Sequence, residues 1–366
     1  MGKWIETTIG DFSPFEYGTG LKEADRQFGH IPVYGSNGIV GYHNSAYVKT
    51  RGVIIGRKGT VGAVHYSKTP FFPIDTTFYV QETENKDIRF IYYLLKSIGL
   101  EQMNSDSAVP GLNRTAAHSR VINVPISLNE QQAIADVLGT LDDKIELNRH
   151  MNRTLESMGR AVFRELMKEE RGKETTIGEV VSVVGGSTPS TKNPSFWESG
   201  DIHWATPKDL SALQDPILLD TNSRITELGL QEISSGLLPV GTVLLSSRAP
   251  IGYLAITQIP TAINQGFIAI KCTDEVPNYF ILNWLKNNME EIIGRANGTT
   301  FLEISKSNFR PMPIFIPSPE KMKEFVNTIE PLYQKIVANL KESRTLASLR
   351  DSLLPKLMRG EVRVEG

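Results

Sequence analysis

Glu130-Gln131-Gln132-Ala133-Ile134-Ala135-Asp136-Val137-Leu138-Gly139-Thr140-Leu141-Asp142-Asp143-Lys144-Ile145 is the stretch from which the rest of the chain can be read. Its apolar residues fall at Ile134, Leu138, Leu141 and Ile145, in alternating steps of four and three. The same register continues through Asn148, Asn152, Leu155, Gly159, Val162 and Leu166. Spacing of this kind is the seam of a coiled coil, because an apolar residue every 3.5 positions keeps one helix face turned toward a partner helix. The partner lies 191 residues downstream, where Phe325, Ile329, Leu332, Ile336, Asn339, Ser343, Leu346, Arg350, Leu353 and Leu357 repeat the register. Two unrelated amphipathic helices are the alternative, but they would have no reason to share polar positions as well as apolar ones.

Outward from the seam, the whole chain is duplicated. Thr7-Thr8-Ile9-Gly10-Asp11 recurs as Thr175-Thr176-Ile177-Gly178-Glu179. The run Gly52–Ile55, followed by Arg57 and Val61-Gly62, recurs as Gly241–Leu245, Arg248 and Ile251-Gly252. The offset drifts from 168 to 191, so the second copy carries extra residues between Gly178 and Gly241. The layout is domain (1–128), spacer helix (129–172), domain (173–318), spacer helix (319–366). Both domains are rich in Gly and Pro with short β-branched runs, which predicts α/β (α+β) domains with irregular strands and long loops. One helix is expected in each, Ile88–Ile98 and Asn278–Ile293.

Because each spacer helix follows its own domain, the second must return toward the first. The pair is expected to be antiparallel about a pseudo-twofold axis. Asn148 should then face Asn339, Leu141 lie near Leu346 and Leu155 near Leu332. A helix of about 40 residues spans roughly 60 Å, a rigid spacer expected to hold the two domains at its opposite ends.

Composition excludes several classes. The single cysteine, Cys272, rules out a disulfide framework. No apolar run is long enough to span a membrane, and the N-terminal residues lack a signal-peptide core, so a cytoplasmic protein is expected. The net charge is −2, and the most favourable domain carries only 13 Lys and Arg against 11 Asp and Glu. A free-standing DNA-binding domain usually has a clear positive excess. Any nucleic-acid contact must therefore rest on local patches or on a partner.

Catalytic motifs are missing. There is no Gly-x4-Gly-Lys-Ser/Thr phosphate loop and no paired-histidine zinc motif. Asn193-Pro194-Ser195-Phe196 resembles an adenine-gripping methyltransferase loop but lacks the second proline, and no glycine-rich cofactor loop precedes it. A turn is expected there. Nothing marks a metal site, and the six histidines show no ligand spacing.

The remaining polar candidates are of a binding kind. Gly56-Arg57-Lys58-Gly59-Thr60 and Ser247-Arg248-Ala249-Pro250 each follow a strand. An arginine fork matches the major-groove edge of guanine, and Asn or Gln that of adenine. The other reading of Arg57 and Arg248 is a bridge to a carboxylate within a scaffold turn. Further candidates are Asn37, Lys58, Thr60, Asn113 and Arg114 in the first half, and Lys192, Lys208 and Asn297 through Lys306 in the second. Gly35, Gly38 and Gly41 read as turn formers, and Trp197 and Trp204 as core.

Thr188-Pro189-Ser190-Thr191-Lys192, then Phe196-Trp197, Gly200-Asp201-Ile202, Trp204 and Thr206-Pro207-Lys208-Asp209-Leu210, resemble the opening of a target-recognition domain of type I restriction-modification specificity subunits. Ile31-Pro32-Val33-Tyr34-Gly35-Ser36-Asn37-Gly38-Ile39-Val40-Gly41 is similar to another opening used there. Ile263-Asn264-Gln265-Gly266-Phe267, Ile314-Phe315-Ile316-Pro317, Val124-Pro125-Ile126 and Glu130-Gln131-Gln132 also look familial. One departure is Pro317-Ser318-Pro319-Glu320-Lys321, which lacks the Glu-Gln pair of the first half. The resemblance covers the whole chain. It implies a non-catalytic subunit for phage defence that reads a bipartite double-stranded DNA site, one half-site per domain. Its implied partners are two modification subunits carrying S-adenosylmethionine, and restriction subunits using ATP and Mg, with no cofactor on this chain. The alternatives are a specificity-like subunit of another defence or regulatory system, and a scaffold for proteins.

Overall fold

The computed structural model describes residues 3–103, 111–169, 172–298 and 302–364. The chain forms two compact units, Met1–Leu147 with Glu342–Gly366, and Asn148–Lys341. The two long helices run Leu128–Glu169 and Pro319–Met358, and the division between the units falls within each of them.

In unit one, a four-stranded antiparallel sheet has the order Glu16–Tyr17, Thr77–Gln81, Gly52–Gly56, Val64–Ser67. Beside it lies a three-stranded sheet of Gly38–His43, Ile31–Gly35 and Phe72–Pro73. A two-stranded ribbon, Trp4–Thr8 with Val121–Pro125, leads into the first long helix. The expected helix is present as Ile88–Ser97, started by Asp87, whose carboxylate accepts from the Phe90 amide at 2.7 Å. Its apolar face packs into a core with Val53, Ile55, Leu138 and Leu357. Tyr93 fastens it to the long helix by donating to Asp142 at 2.6 Å.

Unit two repeats the plan. Its five-stranded sheet has the order Ser182–Gly185, Phe267–Lys271, Val243–Ser246, Leu254–Thr257, Ile217–Leu218. The smaller sheet joins Ser223–Ile225, Ile202–Ala205 and Ala262–Ile263, and the ribbon pairs Lys173–Thr176 with Pro313–Ile316. The expected helix Asn278–Ile293 is two helices, Asn278–Asn287 and Met289–Gly294. The break is at Asn288, whose φ of −109° and ψ of 16° depart from the helical region although its amide still donates to the Trp284 carbonyl at 3.0 Å.

The long helices are antiparallel within each unit. In unit one, Asp142 meets Arg350 at 2.5 Å and Lys144 meets Glu342 at 3.3 Å. In unit two, Asn148 donates to the Asn339 carbonyl at 3.4 Å, Asn339 donates to Asn152 at 2.8 Å, and Phe163 lies against Phe325. As one partner's number rises the other's falls, which only opposed directions allow. Ile134, Leu138, Ile145, Ile329 and Ile336 are buried, while Leu141, Leu155, Leu332, Leu346 and Leu353 are half-buried. Beside the expected Val162 and Leu332, it is Phe163 and Tyr333 that are fully enclosed. The cause is the Asn278–Asn287 helix, which adds a third surface: Tyr279 stacks on Tyr333 with centroids 4.8 Å apart.

With Cys272→Ser removing the native thiol, Leu141→Cys and Leu346→Cys should form an internal disulfide under mild oxidation. A chain that instead links cysteines at 141 and 332 would refute the antiparallel arrangement; a mobility shift on non-reducing gels reads the difference.

Candidate nucleic-acid interface

In unit one the candidate residues converge at one end of the larger sheet. Arg57 follows the strand Gly52–Gly56, and its backbone is held on both sides: its amide donates to Thr76 O at 2.9 Å and its carbonyl accepts from Leu112 N at 2.9 Å. Lys58 N also donates to Thr76 O, as does Ser36 Oγ, which brings the exposed Asn37 turn to the same place. Gly62 closes the loop at φ +76°, where a Cβ would lie 2.2 Å from the Glu101 amide nitrogen. Thr60 is exposed at the loop tip. Asn113 is occupied as a helix cap, accepting from Ala116 N at 3.0 Å, and so positions Arg114 as the first residue of a helical turn.

Sequence reasoning missed Tyr17. Its ring, half exposed, has the Arg57 guanidinium 5.3 Å and the Arg114 guanidinium 4.7 Å from its centroid. Phe78 meets Tyr17 edge-on at 5.0 Å and lies 5.9 Å from the Arg57 guanidinium. Among the described residues no carboxylate pairs with either arginine, so the carboxylate-bridge reading does not hold for Arg57. A cation over an aromatic ring is favourable through the ring quadrupole, each such contact being worth about 0.5–2 kcal/mol. Nearby, burial and then the Arg114 charge push the His118 imidazole below its ordinary value. As a neutral acceptor, its Nε2 receives a hydrogen bond from the Phe15 amide at 2.8 Å.

Unit two builds the same corner from different residues. Arg248 lies 3.7 Å from Glu303, so the carboxylate-bridge reading applies there. Asn297 and Glu303 exchange backbone hydrogen bonds at 2.9–3.0 Å, and the Ile304 amide donates to Ser247 O. Lys306 is exposed, with its Nζ 3.2 Å from where a Gly185 Cβ would stand. Lys208 is the second residue of the Pro207–Ser211 helix, and Pro207 crowds Gly266, whose carbonyl accepts from Ser247 N at 2.8 Å. Lys192 is exposed on a turn that Trp197 braces by donating to Ser190 O, apart from that group. Trp197 and Trp204 pack edge to face at 5.0 Å, and Pro194–Phe196 forms a short turn. Of the candidate stretch 297–306, residues 299–301 lie outside the described ones.

Backbone pairing corrects one expectation. Arg57 is not the counterpart of Arg248. Val53 pairs with Val80 and Ile55 with Phe78; Val243 pairs with Ile270 and Leu245 with Ile268. Gly62 N donates to Gly56 O, and Gly252 N to Ser246 O. Gly59 and Ala249 both have positive φ, +79° and +53°. The registers align Arg57 with Ser247 and Lys58 with Arg248. Asn113 and Ser305 are equivalent caps, so Arg114 aligns with Lys306. Tyr17, paired with Phe78, aligns with Gly185, paired with Ile268.

Among the described residues no cluster of His, Cys, Asp and Glu is arranged to hold a metal ion, and no helix is long and apolar enough to cross a membrane.

Comparison with known proteins agrees with the duplication. The family profile described as type I restriction modification DNA specificity domain matches twice, over residues 1–157 and 170–345. The MjaIX specificity subunit of Methanocaldococcus jannaschii is 35% identical over 192 residues, which is 49% of this chain and 44% of that protein. The HindI specificity subunit of Haemophilus influenzae is 23% identical over 69% of this chain and 71% of its own length. The chain thus spans under half of the first relative and about seven tenths of the second. The crystal structure of a type I restriction-modification S subunit from M. genitalium shares the fold, with a TM-score of 0.66 at 18% identity over 97% of this chain and 96% of that one. With both copies of its repeat matched, this chain belongs to the type I restriction-modification DNA specificity family.

Proposed function

We propose that this chain is the DNA-sequence-specificity subunit of a type I restriction-modification enzyme, reading a bipartite site with one half-site per domain. The observation that carries this reading is the coincidence of the family match with the internal repeat: each match contains one complete candidate interface. Its role is recognition, and the chemistry belongs to its partners. Two modification subunits would supply S-adenosylmethionine and methylate adenine at N6, and restriction subunits would bring ATP and Mg. The near-neutral charge fits such an assembly, because the partners can neutralise much of the DNA phosphate while this chain contributes contacts to base edges. The assembly would work in the cytoplasm.

The test is the methylated motif in genomic DNA of a host with and without the gene. The gene should account for one motif of two short specific blocks separated by unspecified bases. Exchanging residues 1–128 for the matching domain of a relative should alter one block and leave the other. A host methylome unaffected by the gene, or a domain exchange that alters both blocks, would overturn the reading.

A further inference from the structure

We propose that Tyr17, Arg57 and Arg114 form a guanine-reading element peculiar to unit one, in which Arg57 contacts the base and Tyr17 is the positioning residue that aims it. The proposal rests on the DNA-specificity reading and deepens it.

Three observations carry it. The first is rigidity. Arg57 is half-buried, its backbone is bonded at both amide and carbonyl, and its guanidinium lies against the Tyr17 and Phe78 rings. Its Nε is buried with no hydrogen-bond partner among the described residues. A side chain so constrained loses little freedom on binding and presents a fixed planar fork, which is what two-pronged contact with guanine O6 and N7 requires. Phosphate needs only positive charge, and the exposed Arg114 suits that task.

The second is the missing acceptor. Neither guanidinium has a carboxylate partner among the described residues, whereas Arg248 faces Glu303. Of the Arg57 guanidinium only Nε is buried without a partner, so the terminal N–H groups of the fork stay open to an external acceptor.

The third is asymmetry. The sheet registers align Tyr17, Arg57 and Arg114 with Gly185, Ser247 and Lys306. The second copy keeps a cation at the last position and lacks both the ring and the fork. The scaffold therefore does not need them: the same loop closes in unit two with serine and glycine. Their presence in unit one is explained by what the loop reads, and the two half-sites are read with different chemistry.

The experiment selects duplexes from a pool carrying a randomised block, using the full chain purified with its modification subunit. The wild type should select two blocks, one containing a guanine whose replacement lowers binding roughly tenfold to a hundredfold. Arg57→Lys and Tyr17→Leu should abolish preference at that guanine alone and leave the other block intact. Tyr17→Phe, which keeps the ring, should behave as wild type, and Arg114→Ala should weaken all duplexes equally. Equal weakening by Arg57→Lys at every position, or unchanged selection by Tyr17→Leu, overturns the proposal. Should Tyr17→Leu fail to fold, the Arg57→Lys and Tyr17→Phe pair still decides it. A wild type that selects no motif removes the specificity function itself, a separate failure.

Discussion

Phe163→Ala is expected to destabilise unit two by about 3–5 kcal/mol, the usual cost of emptying a buried phenylalanine site. Phe163 is 2% exposed, and its ring packs 5.3 Å from Phe280 and 6.1 Å from Phe325. One side chain thus joins both long helices to the globular part of the unit, and none of the three elements can collapse into the space alone. Three tryptophans, Trp197, Trp204 and Trp284, lie in this unit and Trp4 in the other. In a Trp4→Phe background, urea unfolding followed by fluorescence therefore reports unit two. A midpoint equal to that of the parent would show that Phe163 does not hold these elements together.

Glu156→Ala should cost a similar amount for an electrostatic reason. Glu156 and Lys286 form an ion pair at 2.7 Å with side chains 16% and 11% exposed. For the ammonium, burial outweighs the attraction of Glu156 and holds its pKa below the usual value. For the carboxylate, burial pushes upward, but Lys286 and Arg160 together outweigh it, and its pKa falls below the ordinary 4.5. Removing the carboxylate strands a buried cation, at about 3–5 kcal/mol. Glu156→Leu with Lys286→Met should recover most of the loss, because an apolar pair avoids the desolvation cost. The sign with pH follows from linkage. A carboxylate with a depressed folded pKa contributes stability that is fully present above 4.5 and is lost as pH falls through the folded value. Acid should therefore erode the wild-type advantage over Glu156→Ala; an advantage unchanged between pH 7 and pH 3 would exclude the pair as its source.

Much of the architecture could be read from the sequence because its signals are periodic and repeated. The seam from Ile134 to Leu166 recurs with Asn148 matched by Asn339, and chain connectivity alone opposes the helices. The candidate interface was harder to read. Arg57 and Arg248 invite alignment because both are arginines, yet the strands align Arg57 with serine. Gly52 and Gly241 mislead in the opposite direction, and only pairing across the sheet settles a register of one residue. Tyr17 carries no motif. Its role comes from lying across the strand Thr77–Gln81 from Arg57, a neighbourhood made by sheet order and not by sequence distance. The Glu303 that meets Arg248 arrives from a distant loop for the same reason. Asn288 interrupts, at φ −109° and ψ 16°, a helix that the run of apolar residues alone would continue.

The composition of unit one has a consequence for synthesis. Unit two is one continuous stretch, Asn148–Lys341, whereas unit one needs Glu342–Gly366 as well as Met1–Leu147. Glu130 accepts from both Trp4 and Arg363, at 2.9 and 2.7 Å, and the Arg363 guanidinium lies 4.8 Å from the Trp4 ring. A ribosome therefore releases the amino-terminal domain early but the helical segment that completes its unit only after all of unit two. Unit two, though second in the gene, is the first to have all its parts. Translation that stops shortly after Lys341 would leave unit two whole and the amino-terminal half of the protein without its closing helix.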